Sequence, residues 1–347
     1  MFLDRSIAAF RKAKAFRALC GVVLISLSPP AASQVLRGNC GHPDPDISIA
    51  GCTRKIQSDS ADLQSGRDLA AAAARLATDY DHRGVAYANK RLYDQAIADY
   101  NQAITLLPKT FPMAYFNRAN AYYEQGLHDQ AISDYTMAIL LEPTGADPDF
   151  LLADAYNYRA NAYQQKGLYD EAIADFTMAI SLKPGLESAY ENRGNRYLRK
   201  ALYDLAIADF SKVISLNSRN IASYYNRAVA YEQKGLYDEA IADLTKEISL
   251  APADSDAYDK RGLAYAHNGL YDQAIADYTQ AIALNAKDMP LHPGFAALYA
   301  GAYSHRAGVY EHKGVLAAAI ADYRAALKLD PNMQSAKDAL TRLGAGP

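Results

Sequence analysis

From residue 77 onward, apolar and polar positions recur with a fixed beat. The segment Leu-Tyr-Asp-x-Ala-Ile-Ala-Asp-Tyr returns at Tyr93, His128, Tyr169, Tyr203, Tyr237, Tyr271 and, degraded, Leu316, at spacings of 35, 41, 34, 34, 34 and 45 residues. Self-similarity of this kind marks a repeat architecture. Counted from Ile221 to Asp254 as positions 1 to 34, the other units begin at Ala77, Pro112, Ala153, Glu187, Ser255 and Ala300. Positions 4 and 11 are Tyr in all seven units, from Tyr80 and Tyr87 to Tyr303 and Tyr310, while position 8 is Gly or Ala and position 20 is Ala. Side chains so spaced share one helical stripe, with small residues where two helices close up. Gly126, Gly167, Gly235, Gly269 and Gly314 at position 15 end a first helix, because glycine accepts positive φ. Arg91 and Ala201 take that place in two units, at a cost of about 1 kcal/mol each. Asp at position 18 (Asp94, Asp129, Asp170, Asp204, Asp238, Asp272) is expected to N-cap a second helix, which Pro108, Pro143, Pro184, Pro252 and Pro331 close. Asp147-Pro148 and Pro293, in the two larger insertions, are suited to start lengthened first helices.

Helix, turn and helix repeated in this way resemble the tetratricopeptide repeat family, whose unit carries an aromatic at 4, Gly or Ala at 8, Tyr at 11, Ala at 20, an aromatic at 24 and Pro at 32. The resemblance runs from Ala77 to Pro331. It implies an all-α fold, a right-handed α-solenoid of seven helix-turn-helix repeats whose first helices line a concave groove. One departure repeats. Position 7, usually Leu in the family, is always Arg, and position 23 is always Asp. The two face each other across an antiparallel helix pair. Structural pairs are therefore expected at Arg83–Asp99, Arg118–Asp134, Arg159–Asp175, Arg193–Asp209, Arg227–Asp243, Arg261–Asp277 and Arg306–Asp322. In front, Ile47–Ile56 resembles a second helix and forms an N-terminal half-repeat cap. Behind, 332–343 is a capping helix with Lys337 and Arg342 for its outer face.

The chain has 347 residues, 50% hydrophobic and 22% charged, with a net charge of −3. That balance excludes a disordered chain and offers no basic footprint for nucleic acid. Residues 1–33 read as a secretory signal: Arg5, Arg11, Lys12, Lys14 and Arg17, an apolar run from Ala18 to Leu27, a Ser28-Pro29-Pro30 break, then Ala31-Ala32-Ser33 before the cleavage point. The run is too short to span a bilayer, so no integral membrane segment is expected in the mature chain. The mature protein is then bacterial and periplasmic or secreted, with a cap at 34–64 and the repeat array at 65–343. Cleavage removes Cys20 and leaves Cys40 and Cys52, an even pair that predicts a disulfide in an exported protein. A metal half-site would need more ligands than the nearby His42 and Asp46 supply.

In the family, positions 2, 5, 6, 9, 12 and 13 face the groove. Here these hold Asn117, Asn120, Asn157, Asn161, Asn192, Asn195 and Asn226. An amide offers donor and acceptor together, so a row of them suits an extended peptide backbone. The row resembles the asparagine ladders of protein O-GlcNAc transferase and kinesin light chain. Of 27 tyrosines, 23 sit at positions 4, 11, 17 or 24, where geometry explains them. Tyr123, Tyr158 and Tyr225 instead fall on groove positions with Phe116, which makes an aromatic patch that is expected to anchor a ligand or to pack one repeat on the next. Acidic groove residues (Asp81, Glu124, Asp154, Glu191, Glu232, Asp256, Asp259, Glu311) outnumber the basic Arg199 and Lys260. A neutral or basic partner segment follows. No phosphate loop, nucleophile elbow or zinc-protease motif is present, and no enzyme activity, cofactor or metal is expected. His305 and His312 share a helix face with His267 one repeat away, but seven residues, about 10.5 Å of helix, is too far for one ion. The expected function is thus a scaffold or adaptor binding a protein or peptide in its groove; the alternative is a structural subunit of an envelope complex, held through its convex face or ends.

Overall fold

The computed structural model describes residues 40–66, 68–141, 148–288 and 296–346, so the signal-like segment 1–33 and the expected helix start at Pro293 lie outside the described residues. The described chain is all-α, without strand, and its contacts divide it into two compact units at Lys200/Ala201. The first unit holds α1 (Pro45–Gln64), α2 (Leu69–Asn89), α3 (Tyr93–Leu106), α4 (Pro112–Glu124), α5 (His128–Leu140), α6 (Pro148–Gln165), α7 (Tyr169–Leu182) and α8 (Glu187–Arg199). The second holds α9 (Tyr203–Leu216), α10 (Ile221–Gln233), α11 (Tyr237–Leu250), α12 (Ser255–His267), α13 (Tyr271–Asp288), α14 (Ala296–His312), α15 (Leu316–Leu329) and α16 (Gln334–Arg342).

Each unit is a one-dimensional stack in which a helix packs on its sequence neighbours. The first helices of successive repeats also touch, α2 with α4 and α4 with α6 in the first unit and α12 with α14 in the second, whereas successive second helices do not to that extent. First helices therefore form the inner side of each stack. The core is alanine closed against one large side chain per repeat at position 24: Tyr100, Tyr135, Phe176, Phe210, Leu244 and Tyr278 are fully buried and Tyr323 nearly so. Gly84 is required by this packing, since a Cβ there would come within 2.6 Å of the Tyr100 ring.

The Arg–Asp pairs form as a clamp with more members than the sequence suggested. In Arg83–Asp99, Arg118–Asp134, Arg159–Asp175, Arg227–Asp243, Arg261–Asp277 and Arg306–Asp322, Nε and Nη2 both donate to the carboxylate, at 2.6–2.9 Å. Each guanidinium lies over the tyrosines at positions 4 and 11 of its own repeat, as Arg227 lies 5.9 and 5.8 Å from the Tyr224 and Tyr231 rings. Nη1 then reaches back to position 25 of the preceding repeat, for example Arg159 to Thr136 at 2.9 Å and Arg261 to Thr245 at 3.0 Å. Hydrogen bonding to Asp243 and Asp277 raises the Arg227 and Arg261 pKa values against the opposing effect of burial. Arg193 lies between Tyr190 and Tyr197 in the first unit and donates to Thr177 at 2.9 Å, and Asp209 is buried in the second.

Asp at position 18 does not cap the second helices. Those helices begin one residue earlier than the Asp, with Leu92, Leu127, Leu168, Leu202 and Leu236 as N-caps that make no side-chain cap bond. The Asp sits in the first turn, where the helix dipole favours it, and its side chain turns to position 14 of the next repeat. Lys90 thus meets Asp46, Gln125 meets Asp94, Lys166 meets Asp129, Lys200 meets Asp170, Lys234 meets Asp204, Asn268 meets Asp238 and Lys313 meets Asp272. Exposed contacts of this kind contribute roughly 0.2–1 kcal/mol each, so their effect is to fix register rather than stability. Arg91 and Ala201 do adopt positive φ, 60° and 57°, as their turn position requires. Cys40 and Cys52 form a disulfide that ties the loop before α1 to its middle.

Candidate protein-binding face

On the inner side of the first unit, position 5 points between helices and positions 6 and 9 stand half-open. This corrects the expectation for Phe116 and Asn157, which are buried at 7% and 6% exposure and form a floor rather than a contact surface. Phe116 packs edge-on to Tyr158 (5.7 Å) and tilted to Tyr135 (5.8 Å), and Tyr158 stacks on Tyr135 at 6.2 Å. Packing between repeats therefore accounts for Phe116. Tyr158 and Tyr123 remain half-buried at the edge of this cluster, with phenol pKa values raised by burial. Tyr225 is likewise buried, in the second unit.

The amides are held in set orientations. Tyr135 donates its hydroxyl to Asn120 Oδ1 at 2.6 Å. Asn161 Oδ1 accepts from Asn192 Nδ2 at 3.1 Å and Gln164 Nε2 at 3.0 Å. Asn117 donates Nδ2 to Asp81 Oδ1 at 2.9 Å. At position 9, Asn120 and Asn161 thus engage their carbonyl oxygens internally and leave the NH2 without an internal bond; at position 6, Asn117 and Asn192 engage the NH2 and leave the carbonyl. Asn195, on α8, and Asn226, on α10 of the second unit, are half-buried at the equivalent positions.

The charge count along the inner faces overstates their acidity. Asp81 is buried and its carboxyl is pushed up to about 6 by desolvation, which the Asn117 bond only partly opposes. Asp154 lies 3.8 Å from Lys183, Asp259 accepts from His305 at 2.9 Å, and Glu311 pairs with Arg342 at 2.9 Å. Asp259 in turn raises the His305 pKa against burial. Glu124 in the first unit remains exposed. His267 and His312 pack against Tyr237 and Tyr271 of the preceding repeat (5.2 and 4.6 Å), and with His305 they line a cleft of about 360 Å³.

One cluster carries no signal in the sequence. Asp79 and His82, on successive turns of α2, reach the Cys40 end of the cap. Nothing near the cysteines in sequence points to them. Among the described residues no helix is long and apolar enough to cross a membrane.

Comparison with known proteins places these observations in a family. Profiles described as tetratricopeptide repeat match residues 112–144, 153–186, 192–258, 255–288 and 300–333, and one described as TPR repeat matches 84–126. No curated protein matches the chain. Among solved structures, the C-terminal part of a TPR repeat-containing protein from Cytophaga hutchinsonii is 22% identical, with a TM-score of 0.63 over 74% of this chain and 98% of that one. A tetratricopeptide repeat protein from Parabacteroides merdae is 20% identical over 77% and 98% of the two chains (TM-score 0.49), and MamA is 25% identical over 52% and 95% (TM-score 0.47). Profiles matched along most of the array, a similar fold and a repeat seen in residue after residue agree: the chain belongs to the tetratricopeptide repeat family.

Proposed function

We propose that this protein is an exported scaffold that binds an extended, neutral or basic segment of a partner protein along the inner face of its first unit. The observation that carries the reading is the fixed polarity of the amides. An extended backbone presents N–H and C=O groups in alternation, and the amide ends that make no internal bond, carbonyls at Asn117 and Asn192 and NH2 groups at Asn120 and Asn161, answer both. Because internal hydrogen bonds already orient the side chains, binding orders little that is not ordered before. Half-buried Tyr123 and Tyr158 supply apolar surface beside the amides. The signal-like segment and the Cys40–Cys52 disulfide support export.

A second reading, attachment through the outer side in a larger envelope assembly, is favoured by apolar side chains exposed on second helices, Leu140 and Met178 in the first unit and Leu205 in the second. An array of short immobilised peptides, neutral, basic or acidic, separates the two. Asn120→Ala with Asn161→Ala is expected to weaken binding of the neutral and basic peptides roughly tenfold or more, at about 0.5–1.5 kcal/mol per lost bond, without lowering the melting temperature by more than a few degrees. Equal binding by wild type and variant would remove the inner face as the site.

A further inference from the structure

Two cysteines, a buried carboxylate and an imidazole converge where the cap meets the first repeat. Cys40 Sγ lies 3.6 Å from Asp79 Oδ1 and 4.0 Å from His82 Nδ1, and Cys52 Sγ is its disulfide partner. One ligand atom from each of Cys40, Asp79 and His82 falls within 4.8 Å of the others. Ligands at about 2.0–2.3 Å from a tetrahedral zinc ion sit about 3.5 Å from one another, near the 3.6 and 4.0 Å that separate Cys40 Sγ from the other two. Gly41, at φ 78°, lies beside the imidazole: a Cβ there would be 3.9 Å from His82 Nδ1.

Asp79 gives an independent indication. It is 3% exposed, and its Oδ2 is buried with no hydrogen-bond partner. A carboxylate left that way calls for a cation. Lys55 supplies one in the oxidised chain, with Nζ 3.4 Å from Oδ1, but the lysine side chain is 44% exposed and free to swing outward.

We propose that the reduced protein binds one zinc-class divalent cation through Cys40, Cys52, His82 Nδ1 and Asp79, so that the disulfide and the metal are alternative ways of pinning the cap to the first repeat. Two equivalents of a thiol reductant cleave the disulfide, yielding two cysteine thiols and the reductant's own disulfide. Metal binding then displaces the two thiol protons, and both thiolates become ligands. Two thiolates, an imidazole and a carboxylate form a donor set suited to zinc rather than to magnesium or calcium.

Cobalt(II) added to the full chain, reduced and freed of reductant without oxygen, tests this. The expected result is one equivalent bound, with a sulfur-to-cobalt charge-transfer band and the visible absorption of a tetrahedral site, and neither in the oxidised chain. Zinc should displace the cobalt. His82→Ala and Asp79→Asn should each weaken binding at least tenfold, while Lys55→Ala should tighten it. Circular dichroism runs alongside; if reduction loosens the cap, the metal must restore the lost helicity. A reduced, helical chain without the charge-transfer band, a helix loss that metal leaves unrepaired, or equal cobalt binding by Cys40→Ser/Cys52→Ser would each overturn the proposal.

Discussion

Positions 6 and 9 of the first helices carry different chemistry in the two units. In the first they include Asn117, Asn120, Asn161 and Asn192, neutral amides linked to one another, to their own repeat or, for Asn117, to Asp81 of the preceding repeat. In the second, position 6 holds one amide, Asn226, followed by Lys260 and His305, the latter bound to Asp259, and position 9 holds the apolar or small Val229, Leu263 and Gly308. Behind both faces the construction is the same: an arginine gripped by an aspartate, covered by two tyrosines and tied back to position 25. The architecture is therefore indifferent to what its inner face displays. Changing the clamp should harm either unit alike, and changing the inner face should harm one activity and leave the fold intact.

Removing the carboxylate from the clamp should have the largest effect. Asp134→Ala in the first unit and Asp243→Ala in the second each strand a guanidinium that is 17–18% exposed. Each should cost about 3 kcal/mol, somewhat less than a fully buried pair would, and calorimetry should show similar losses for the two. A large loss in one and none in the other would break the claim of a common scaffold.

Acidity distinguishes the units next. Burial raises the folded-state pKa of Asp81 to about 6 from an ordinary 3.8. Its stabilising contribution is thus fully present below the unfolded value and is lost as pH rises through about 6, a change of about 3 kcal/mol. Asp81→Asn keeps the acceptor for Asn117 and should flatten that part of the stability profile, followed by denaturant unfolding at stepped pH. In the second unit, His305 has its pKa raised by Asp259, so its contribution persists below the ordinary 6.5 and is lost at higher pH. His305→Gln should therefore alter only the upper part of the profile. An Asp81→Asn profile parallel to that of wild type would show that the carboxyl is not held as described.

The fold was legible because most of it is written seven times. Arg at 7 and Asp at 23 recur in register, so their pairing could be read from one repeat alone. The third arm of the clamp was not legible, because it joins position 7 to position 25 of another repeat and takes Thr, Ser or Asn interchangeably. Asp at 18 was misread for a related reason: it has the residue type of a cap, yet its partner is the next repeat's position 14. At the candidate site the residue types were readable and their exposure was not. Phe116 and Asn157 sit at a position that faces the groove in the family, but close packing of α4 and α6 buries it here. Asp79 and His82 recur in no other unit, so periodicity could not single them out.

The central claim, that recognition lies on the inner face of the first unit, is tested most directly by photo-crosslinking in a periplasmic extract of the producing cells. A photoreactive residue at Asn161, on the inner helix α6, is compared with one at Thr177, exposed on the outer helix α7. A discrete crosslinked partner from position 161, competed away by the best peptide of the array and absent from position 177, is the predicted result. Crosslinking from 177 with none from 161 would contradict it.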